Sequence, residues 1–277
     1  MNIEEIIKQT LIEDIGEGDH TTLSAVPADA LKNARMIAKQ AGIVCGTEIV
    51  AKVFKAVDAN LTVEILRRDG EAIEKGDVIL RISGNARAIL TAERTALNFI
   101  QRLSGIATKA HSLMKNVEGT KVKLLDTRKT TPLLRELEKY AVKCGGGSNH
   151  RFGLFDMILI KDNHVDFAGG IKAAIQSANN YLSTIGKKLQ IEVEVRNFDE
   201  LHEALQTGNI HRIMLDNFSP EQIRTAMSIV GGKYPVEASG GITEENILQY
   251  AETGVDYISV GALTHHIKSL DINLLAD

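Results

Sequence analysis

Five basic side chains stand beside turns in the middle of the chain. Arg128 and Lys129 lie in "DTRKTT", His150 and Arg151 lie in "SNHR", and Lys161 follows "MILI". Like charges about 4 Å apart cost several kcal/mol at an effective dielectric constant near 20, so a cluster of these cations needs an anion between its members. Arginine grips carboxylate and phosphate oxygens in pairs, whereas lysine acts as a point charge. The mixture predicts a ligand that carries both carboxylate and phosphate groups.

Acidic and glycine residues end other apolar segments in the same half of the chain. Glu194 lies in "IEVEV", Asp216 ends "RIMLD", and "SGG" and "VGA" follow the last two segments. Carboxylates suit ribose hydroxyls or Mg²⁺, and glycines let backbone N–H groups approach phosphate oxygens. Glu192 and Glu194 share the same strand parity, so the residues alone leave open which of them faces a site. A lone "RK" or "SGG" is typical of a solvated turn, and only their joint placement indicates a site.

The elements that must position these residues begin after residue 118. Apolar segments alternate there with helical patterns: "KVKLLD", "MILIK", "IEVEV", "RIMLD", "PVEAS" and "DYISVG". Such repeats favour parallel strands, and six of them predict an irregular or incomplete α/β barrel, since a regular barrel needs eight. The carboxyl ends of barrel strands meet on one face, where the polar groups would converge. His150 and Arg151 precede a strand and belong on the opposite face unless the glycine-rich "CGGGSNHRFG" folds inwards.

The first part of the chain has a different pattern. Ile3, Ile6, Ile7 and Leu11 recur at helical spacing, and the short segments "ARMIAK", "LTVEIL" and "VILRIS" between turn signals predict strands. We therefore expect a helix plus a small α+β sandwich domain over residues 1–110 and an α/β-barrel catalytic domain over 111–277. A helix over about 91–117, broken at Gly105, is expected to connect them.

Composition excludes several classes of protein. Hydrophobic residues make up 44% and charged residues 25%, which is typical of a globular protein. Acidic residues outnumber basic ones 36 to 32, which argues against a nucleic-acid-binding surface. No apolar run approaches the roughly 18 residues of a membrane span, and the first residues lack a secretory pattern, so we expect a cytoplasmic protein. Cys45 and Cys144 lack metal-type spacing, and Cys45 is expected to be a small core residue.

Motifs along nearly the whole chain resemble those of the quinolinate phosphoribosyltransferase family, in that family's order. They are "EDIGEGD", "ERTALNFIQRLSGIAT", "DTRKTTPLLRELEKYAV", "GGGSNHRFGLFDMILIKDNH", "EVEV", "LDNF", "EASGGI", "YAETGVDYISVGALTH" and "LDINL". The segment from Asp126 to His164 is the most specific part. The resemblance implies a Mg²⁺-dependent reaction of quinolinate with 5-phosphoribosyl pyrophosphate. It yields nicotinate mononucleotide, pyrophosphate and carbon dioxide, and it belongs to NAD biosynthesis.

The resemblance also assigns roles to residues. It places the quinolinate carboxylates among Arg102, Arg128, His150, Arg151 and Lys161. It places the phosphoribosyl part near Lys129 and Lys161, and it selects Glu194 rather than Glu192 to hold ribose and metal together with Asp216. The implied 5′-phosphate cradle consists of Ser239, Gly240, Gly241, Gly261 and Ala262. Thr127 and Val260 are further residues implied to bind substrate. The residues implied to be catalytic are Lys129, Lys161, Glu194 and Asp216. Arg102 is implied to enter the site of a neighbouring subunit, so we expect a homodimer, with a hexamer as the larger assembly.

Two other functions fit part of the sequence. A related phosphoribosyltransferase-like protein of the molybdenum-transport type would keep the phosphate turns but take another substrate, and the carboxylate-binding set with Arg102 argues against it. A carrier module is suggested by "RRDGEAIEKGDVILRISG", which resembles turns of biotinyl and lipoyl domains. No carrier lysine stands at a central hairpin, so we interpret that similarity as architectural.

Overall fold

The computed structural model describes residues 2–277. Its helices are α1 (Ile3–Ile15), α2 (His20–Ala25), α3 (Thr47–Val57), α4 (Ala86–Asn116), α5 (Arg135–Cys144), α6 (Asp162–Ala168), α7 (Ile171–Ile185), α8 (Phe198–Thr207), α9 (Pro220–Val230), α10 (Ile247–Ala251) and α11 (Ala262–His265). Its strands are β1 (Leu31–Ala38), β2 (Gly42–Ile43), β3 (Thr62–Ile65), β4 (Ala72–Ile73), β5 (Val78–Asn85), β6 (Lys123–Leu125), β7 (Ile158–Ile160), β8 (Ile191–Val195), β9 (Arg212–Asp216), β10 (Val236–Ser239), β11 (Tyr257–Ser259) and β12 (Ile272–Ala276).

The chain divides into two compact units. The first unit comprises the chain up to His111 together with Thr130–Gly146 and Leu263–Asp277, and the second comprises Ser112–Lys129 and Gly147–Ala262. The first break lies beside the expected boundary between 110 and 111, but two later segments return to the first unit. One reason is that β12 pairs antiparallel with β1. The division into domains 1–110 and 111–277 therefore stays a prediction about folding domains.

The first unit contains an antiparallel sheet with the order β12-β1-β5-β3 and a separate two-stranded sheet of β2 and β4. Helix α1 begins where the Asn2 side chain accepts a hydrogen bond from the backbone N–H of Glu5, as expected for an N-cap. The buried residues of α1 include Ile6, Ile7 and Leu11, which recur at helical spacing. The predicted opening helix is confirmed.

Helix α4 runs without interruption through Gly105. The predicted break at this glycine is wrong. A Cβ atom at position 105 would lie 2.3 Å from the backbone oxygen of Lys268, so glycine is needed there for a close approach of two backbones. Glycine lowers helix stability by about 1 kcal/mol relative to alanine, but a larger side chain at this position would prevent the tertiary contact.

The second unit is built on a parallel sheet with the order β6-β11-β10-β9-β8-β7. All five residues of β8 are buried, as expected for a strand that is covered on both faces. The six predicted apolar strands correspond to β6–β11. An α/β protein with a small sheet-containing N-terminal part and about six parallel strands is thereby confirmed. No helix within residues 2–277 combines the length and the apolar character that crossing a bilayer requires.

Candidate active site

The strand register places several predicted site residues on one face of the parallel sheet. Glu194 is paired with Met214 and Ser239 with Asp216, and alternate residues of a strand share a face. Lys161 follows by the same repeat, because it lies two residues after Leu159 and its backbone is extended. Thr127 and Gly261 come just after β6 and β11, at the same carboxyl end of the sheet. Groups from six strands thus lie at the carboxyl end of the sheet, where sites in parallel sheets form.

Lys161 and Glu194 form an ion pair at this carboxyl end of the sheet. The Lys161 Nζ atom donates to Glu194 Oε2 over 3.1 Å. The Lys161 side chain is 46% exposed, whereas that of Glu194 is 7% exposed. The backbone N–H of Lys161 donates to His164 Nδ1, which fixes the start of α6. Both glutamates that the sequence left open contact a predicted site residue: Glu194 pairs with Lys161, whereas Glu192 lies beside the buried His150.

The glycine turns lie close to polar side chains. A Cβ atom at Gly240, whose φ is +91°, would lie 2.2 Å from Asn217 Oδ1, so the turn after β10 packs directly against the turn after β9. Asn217 also donates from Nδ2 to Asp216 Oδ2. A Cβ atom at Gly261 would lie 3.2 Å from Lys129 Cδ and 3.6 Å from its Nζ. Lys129 therefore lies against the turn that was predicted to hold phosphate.

The loop before β7 folds inwards, which was one of the two alternatives left by the sequence. Ser148 forms a parallel bridge with Leu125 at the end of β6, and its N–H donates to Leu124 O over 2.8 Å. The backbone N–H of His150 then donates to Asp126 Oδ1 over 2.9 Å. This pairing brings the loop to the carboxyl end of β6, beside the segment that carries Thr127, Arg128 and Lys129.

The His150 side chain enters a buried cluster of charges, although the family resemblance implies a role at the substrate carboxylates. Its Nε2 atom lies 3.0 Å from Glu192 Oε2 and 3.5 Å from Glu237 Oε2, and only 6% of the side chain is exposed. Arg212 Nη1 lies 3.0 Å from the same Glu237 oxygen and 3.8 Å from Glu192 Oε2. The Arg212 guanidinium stacks 4.1 Å above the ring centre of Tyr257. Two carboxylates and two cationic or ionisable groups thus compensate one another inside the second unit.

Burial and mutual interaction shift the pKa values of this cluster. Burial and the nearby Glu237 raise the pKa of Glu192 to about 7. Burial opposes ionisation of Glu237 too, but a hydrogen bond from His150 and the charge of Arg212 lower its pKa. Burial alone would lower the pKa of His150, yet the two carboxylates raise it to about 9. The backbone N–H of Arg151 donates to His150 Nδ1 over 2.7 Å and needs an unprotonated nitrogen there, so this bond offsets part of that rise.

The positive charges of Arg151 and Arg128 repel one another at the carboxyl end of the sheet. The Arg151 Nη1 atom donates to Met157 O over 3.3 Å, which holds the guanidinium in place. Burial lowers the pKa of Arg151, and the positive charge of Arg128 lowers it further. An anion between the two guanidinium groups would relieve both penalties. The pair therefore has the character expected of an anion-binding site.

Arg102 lies in the first unit, where a buried carboxylate holds it. Its Nε and Nη2 atoms donate to Glu138 Oε1 over 2.9 and 2.6 Å, and Nη2 also donates to Thr131 Oγ1 over 2.6 Å. Glu138 has no exposed side-chain surface, whereas 30% of the Arg102 side chain is exposed. Among residues 2–277 these are the bonds of the Arg102 side chain, and its Nη1 atom takes part in none of them.

Sequence reasoning missed the roles of Glu138, Glu237 and Arg212 and did not place Glu192. Two of the glutamates carried a detectable signal, because they interrupt the buried apolar strands "IEVEV" and "PVEAS". A charged residue inside such a strand is expected to have a buried partner. Which partner it has depends on the register between neighbouring strands, which the sequence does not state.

Comparisons with known proteins agree with the sequence motifs. The family models for the C-terminal and N-terminal domains of quinolinate phosphoribosyl transferase match residues 106–275 and 19–104. A probable nicotinate-nucleotide pyrophosphorylase [carboxylating] of Bacillus subtilis is 42% identical over 99% of this chain and 93% of its own length. The chloroplastic nicotinate-nucleotide pyrophosphorylase [carboxylating] of Arabidopsis thaliana is 41% identical, with 100% of this chain and 83% of that protein covered.

A solved structure also matches the chain. The nicotinate-nucleotide pyrophosphorylase of Francisella tularensis superimposes with a TM-score of 0.94 at 45% identity, and the match covers 99% of this chain and 96% of that one. Sequence and fold thus agree over practically the whole length of the chain. The protein belongs to the quinolinate phosphoribosyltransferase family.

Proposed function

We propose that the protein transfers the phosphoribosyl group of 5-phosphoribosyl pyrophosphate to quinolinate and releases carbon dioxide, which yields nicotinate mononucleotide and pyrophosphate. The observation that carries the proposal is the set of groups at the carboxyl end of the parallel sheet. This set consists of two arginines whose charges repel one another, the Lys161–Glu194 ion pair and the glycine turns. The chain that carries it matches the family model of quinolinate phosphoribosyl transferase.

Arg128 and Arg151 would bind the two carboxylates of quinolinate. A dianion between them removes the repulsion that lowers the pKa of Arg151. Arginine suits this task because its planar fork matches a carboxylate in two places. His150 would position Arg151 rather than bind the substrate. Its Nδ1 atom accepts a hydrogen bond from the Arg151 N–H, and its Nε2 atom lies 3.0 Å from Glu192 Oε2.

The sugar phosphate would occupy the turns after β10 and β11. Ser239 to Gly241 and Gly261 to Ala262 would supply backbone N–H groups to the phosphate oxygens. A Cβ atom at Gly241 would have no atom within 4 Å, so this position leaves open space, whereas Gly240 and Gly261 let the side chains of Asn217 and Lys129 approach the turns. Lys129 lies against Gly261 and would neutralise phosphate charge. Lys161, which follows β7, would do the same. These two lysines oppose the negative charge that grows on the leaving pyrophosphate.

Glu194 and Asp216 suit Mg²⁺, because both offer carboxylate oxygens at the ends of neighbouring strands. Held by these two carboxylates, Mg²⁺ would supply positive charge that stabilises the leaving pyrophosphate. Lys161 donates a hydrogen bond to Glu194 Oε2 and would keep the carboxylate oriented. The two carboxylates would also accept hydrogen bonds from the ribose hydroxyls.

The reaction balances without a covalent enzyme intermediate. The pyridine nitrogen forms a bond to the anomeric carbon of the sugar while the bond to pyrophosphate breaks. The C2–carboxylate bond then breaks, carbon dioxide leaves, and the positively charged ring nitrogen stabilises the electron pair that remains on C2. A proton from water completes the product. Orientation by the arginines and lysines is the main contribution of the protein.

Mass spectrometry of the products tests this proposal directly. Incubation with quinolinate, 5-phosphoribosyl pyrophosphate and Mg²⁺ should give nicotinate mononucleotide and pyrophosphate, and nicotinate should not replace quinolinate. Product from nicotinate instead, or from neither acid, would contradict the proposal and favour a relative with a different substrate.

We also propose a homodimer in which Arg102 completes the site of the neighbouring subunit, as the family resemblance implies. The support is that Arg102 is preoriented by Glu138 and partly exposed. Mixed dimers of Arg102→Ala and Lys161→Ala subunits should recover activity, because one site then has both groups. Verified mixed dimers that remain inactive would contradict shared sites. A hexamer of such dimers and a cytoplasmic location remain part of the same proposal.

A further inference from the structure

Cys45, Asp69 and Cys144 meet in the first unit although they are far apart in the sequence. Cys45 lies between β2 and α3, Asp69 lies between β3 and β4, and Cys144 ends α5. The two sulfur atoms and an Asp69 carboxylate oxygen all lie within 4.8 Å of one another. Cys45 is fully buried, and Cys144 is partly exposed. The cluster therefore has an inner and an outer ligand atom.

The carboxylate of this cluster is held in a fixed orientation. Asp69 Oδ1 accepts hydrogen bonds from Gly46 N and Thr47 N, each over 2.9 Å, and from Thr47 Oγ1 over 2.8 Å. Asp69 Oδ2 accepts one from the Tyr140 hydroxyl over 3.0 Å. Three donors on one oxygen leave the second oxygen with a lone pair for a further partner. Such outer hydrogen bonds are what orients the carboxylates of metal sites.

The backbone of the inner cysteine is held as well. The Ser104 hydroxyl accepts from Cys45 N over 2.9 Å and donates to Cys45 O over 3.2 Å, which ties the Cys45 backbone to α4. The Asp69 carboxylate and the Cys45 backbone are thus fixed before any ion binds. A preorganised ligand set loses little conformational entropy on binding.

We propose that Cys45, Cys144 and Asp69 form a binding site for a thiophilic divalent cation of the zinc class. Two thiolates and a carboxylate are ligands that zinc takes, and the fourth tetrahedral position would be open to water beside Tyr140. Zinc–sulfur bonds of about 2.3 Å put two sulfurs roughly 3.8 Å apart around a tetrahedral ion, and the three ligand atoms here lie within 4.8 Å of one another. Little rearrangement is needed.

The chemistry of the neighbours favours an external cation. The groups that donate hydrogen bonds to the Asp69 carboxylate are two hydroxyls and two backbone N–H groups, which carry no full positive charge. Removing the protons of both thiols beside Asp69 creates three adjacent negative charges, which a divalent ion can compensate at short range. The bound ion would join the end of α5 to the two connections that carry Cys45 and Asp69.

Cobalt titration of the reduced, chelator-treated full-length protein tests the site. Co²⁺ should bind with a sulfur-to-cobalt charge-transfer band in the near ultraviolet, saturate at one ion per chain, and be displaced by Zn²⁺. The band should disappear in Cys45→Ser and weaken strongly in Cys144→Ser. Thr47→Val, which removes one outer hydrogen bond while preserving side-chain volume, should reduce the zinc affinity roughly 10-fold.

Matched controls separate this site from the proposed magnesium site. Glu194→Gln should leave the cobalt charge-transfer band unchanged, and circular dichroism of each cysteine variant checks that it folds. Zinc should also protect both thiols of the wild type from alkylation. No charge-transfer band, a band that persists unchanged in Cys144→Ser, or unchanged alkylation rates would each overturn the proposal. Formation of a disulfide by a mild oxidant in protein that binds no cobalt would assign the cluster to redox chemistry instead.

Discussion

Two clusters in this protein each bring three ligand-type side chains within 4.8 Å of one another, but they differ in where positive charge comes from. In the second unit, His150, Glu192 and Glu237 have Arg212 beside them, 3.0 Å from a Glu237 oxygen. In the first unit, the thiols and Asp69 have the Tyr140 hydroxyl instead. The Arg212 guanidinium supplies in the second unit the positive charge that a metal ion would otherwise bring. Proximity of ligand atoms therefore does not define a metal site without the charge of the next neighbours.

The largest expected effect tests the internal cation of the second unit. Arg212→Met should lower the free energy of unfolding by about 3–5 kcal/mol, because it leaves two buried carboxylates with His150 as their only basic partner among those described. Urea denaturation measures this loss. Arg224→Met, on the exposed face of α9, is the control and should change little. A loss below 1 kcal/mol would remove the basis of the comparison.

Zinc should stabilise the first unit's cluster by mass action. At a free Zn²⁺ concentration 100 times the dissociation constant, the protein should gain about 2.7 kcal/mol of unfolding free energy, because the folded state alone presents the assembled site. Thermal melts with and without the ion measure the gain. Mg²⁺ at the same concentration and the Cys144→Ser variant should show no comparable shift from this cluster, and an equal zinc effect in that variant would contradict the assignment.

Proton binding by His150 should make stability depend on pH. Its pKa in the folded protein is raised to about 9, above the ordinary value of about 6.5, so its contribution is complete below about pH 6.5 and is lost as the pH rises through 9. We expect a loss of about 1–2 kcal/mol, less than the full shift because the Arg151 N–H competes for Nδ1. His150→Gln should flatten this part of the stability curve. A curve of unchanged slope would show that His150 is neutral throughout.

The smallest effect concerns the hydroxyl group beside the thiol cluster. Tyr140→Phe removes the hydrogen bond to Asp69 Oδ2 and should lower the free energy of unfolding by about 0.5–1 kcal/mol, since Tyr140 is partly exposed. Chemical denaturation measures it, with Tyr181→Phe on α7 as the control. A larger loss in Tyr140→Phe that zinc restores would sharpen the comparison, because it would show the ion and the hydroxyl supporting the same carboxylate.

Much of the fold was predictable because local patterns and tertiary structure agree. The six apolar segments became β6–β11 since buried parallel strands require continuous apolar runs. At Gly105 the two disagree: glycine is a poor helix former, but the backbone of Lys268 approaches too closely for any other residue. The sequence around Gly105 contains no sign of a contact that comes from residues 163 positions later.

The roles of the candidate-site residues stay predictions, and the partners of these residues could not be predicted from the sequence. Parity placed Glu192 and Glu194 on one face, but their different depths follow from contacts with His150 and Lys161 on other segments. Cys45 was expected to lie in the core and is buried there. Its approach to Cys144 depends on how α5 returns to the first unit, and spacing in the sequence carries no trace of that return.

The pairing of β12 with β1 has a consequence for folding during synthesis. All the strands of the parallel sheet leave the ribosome before Ile272–Ala276 does, so the edge of β1 that these residues cover stays unpaired in the nascent chain. The antiparallel sheet cannot be completed until translation has passed this segment. A ribosome stalled ahead of it would hold a chain whose open edge can recruit other polypeptides into aggregates.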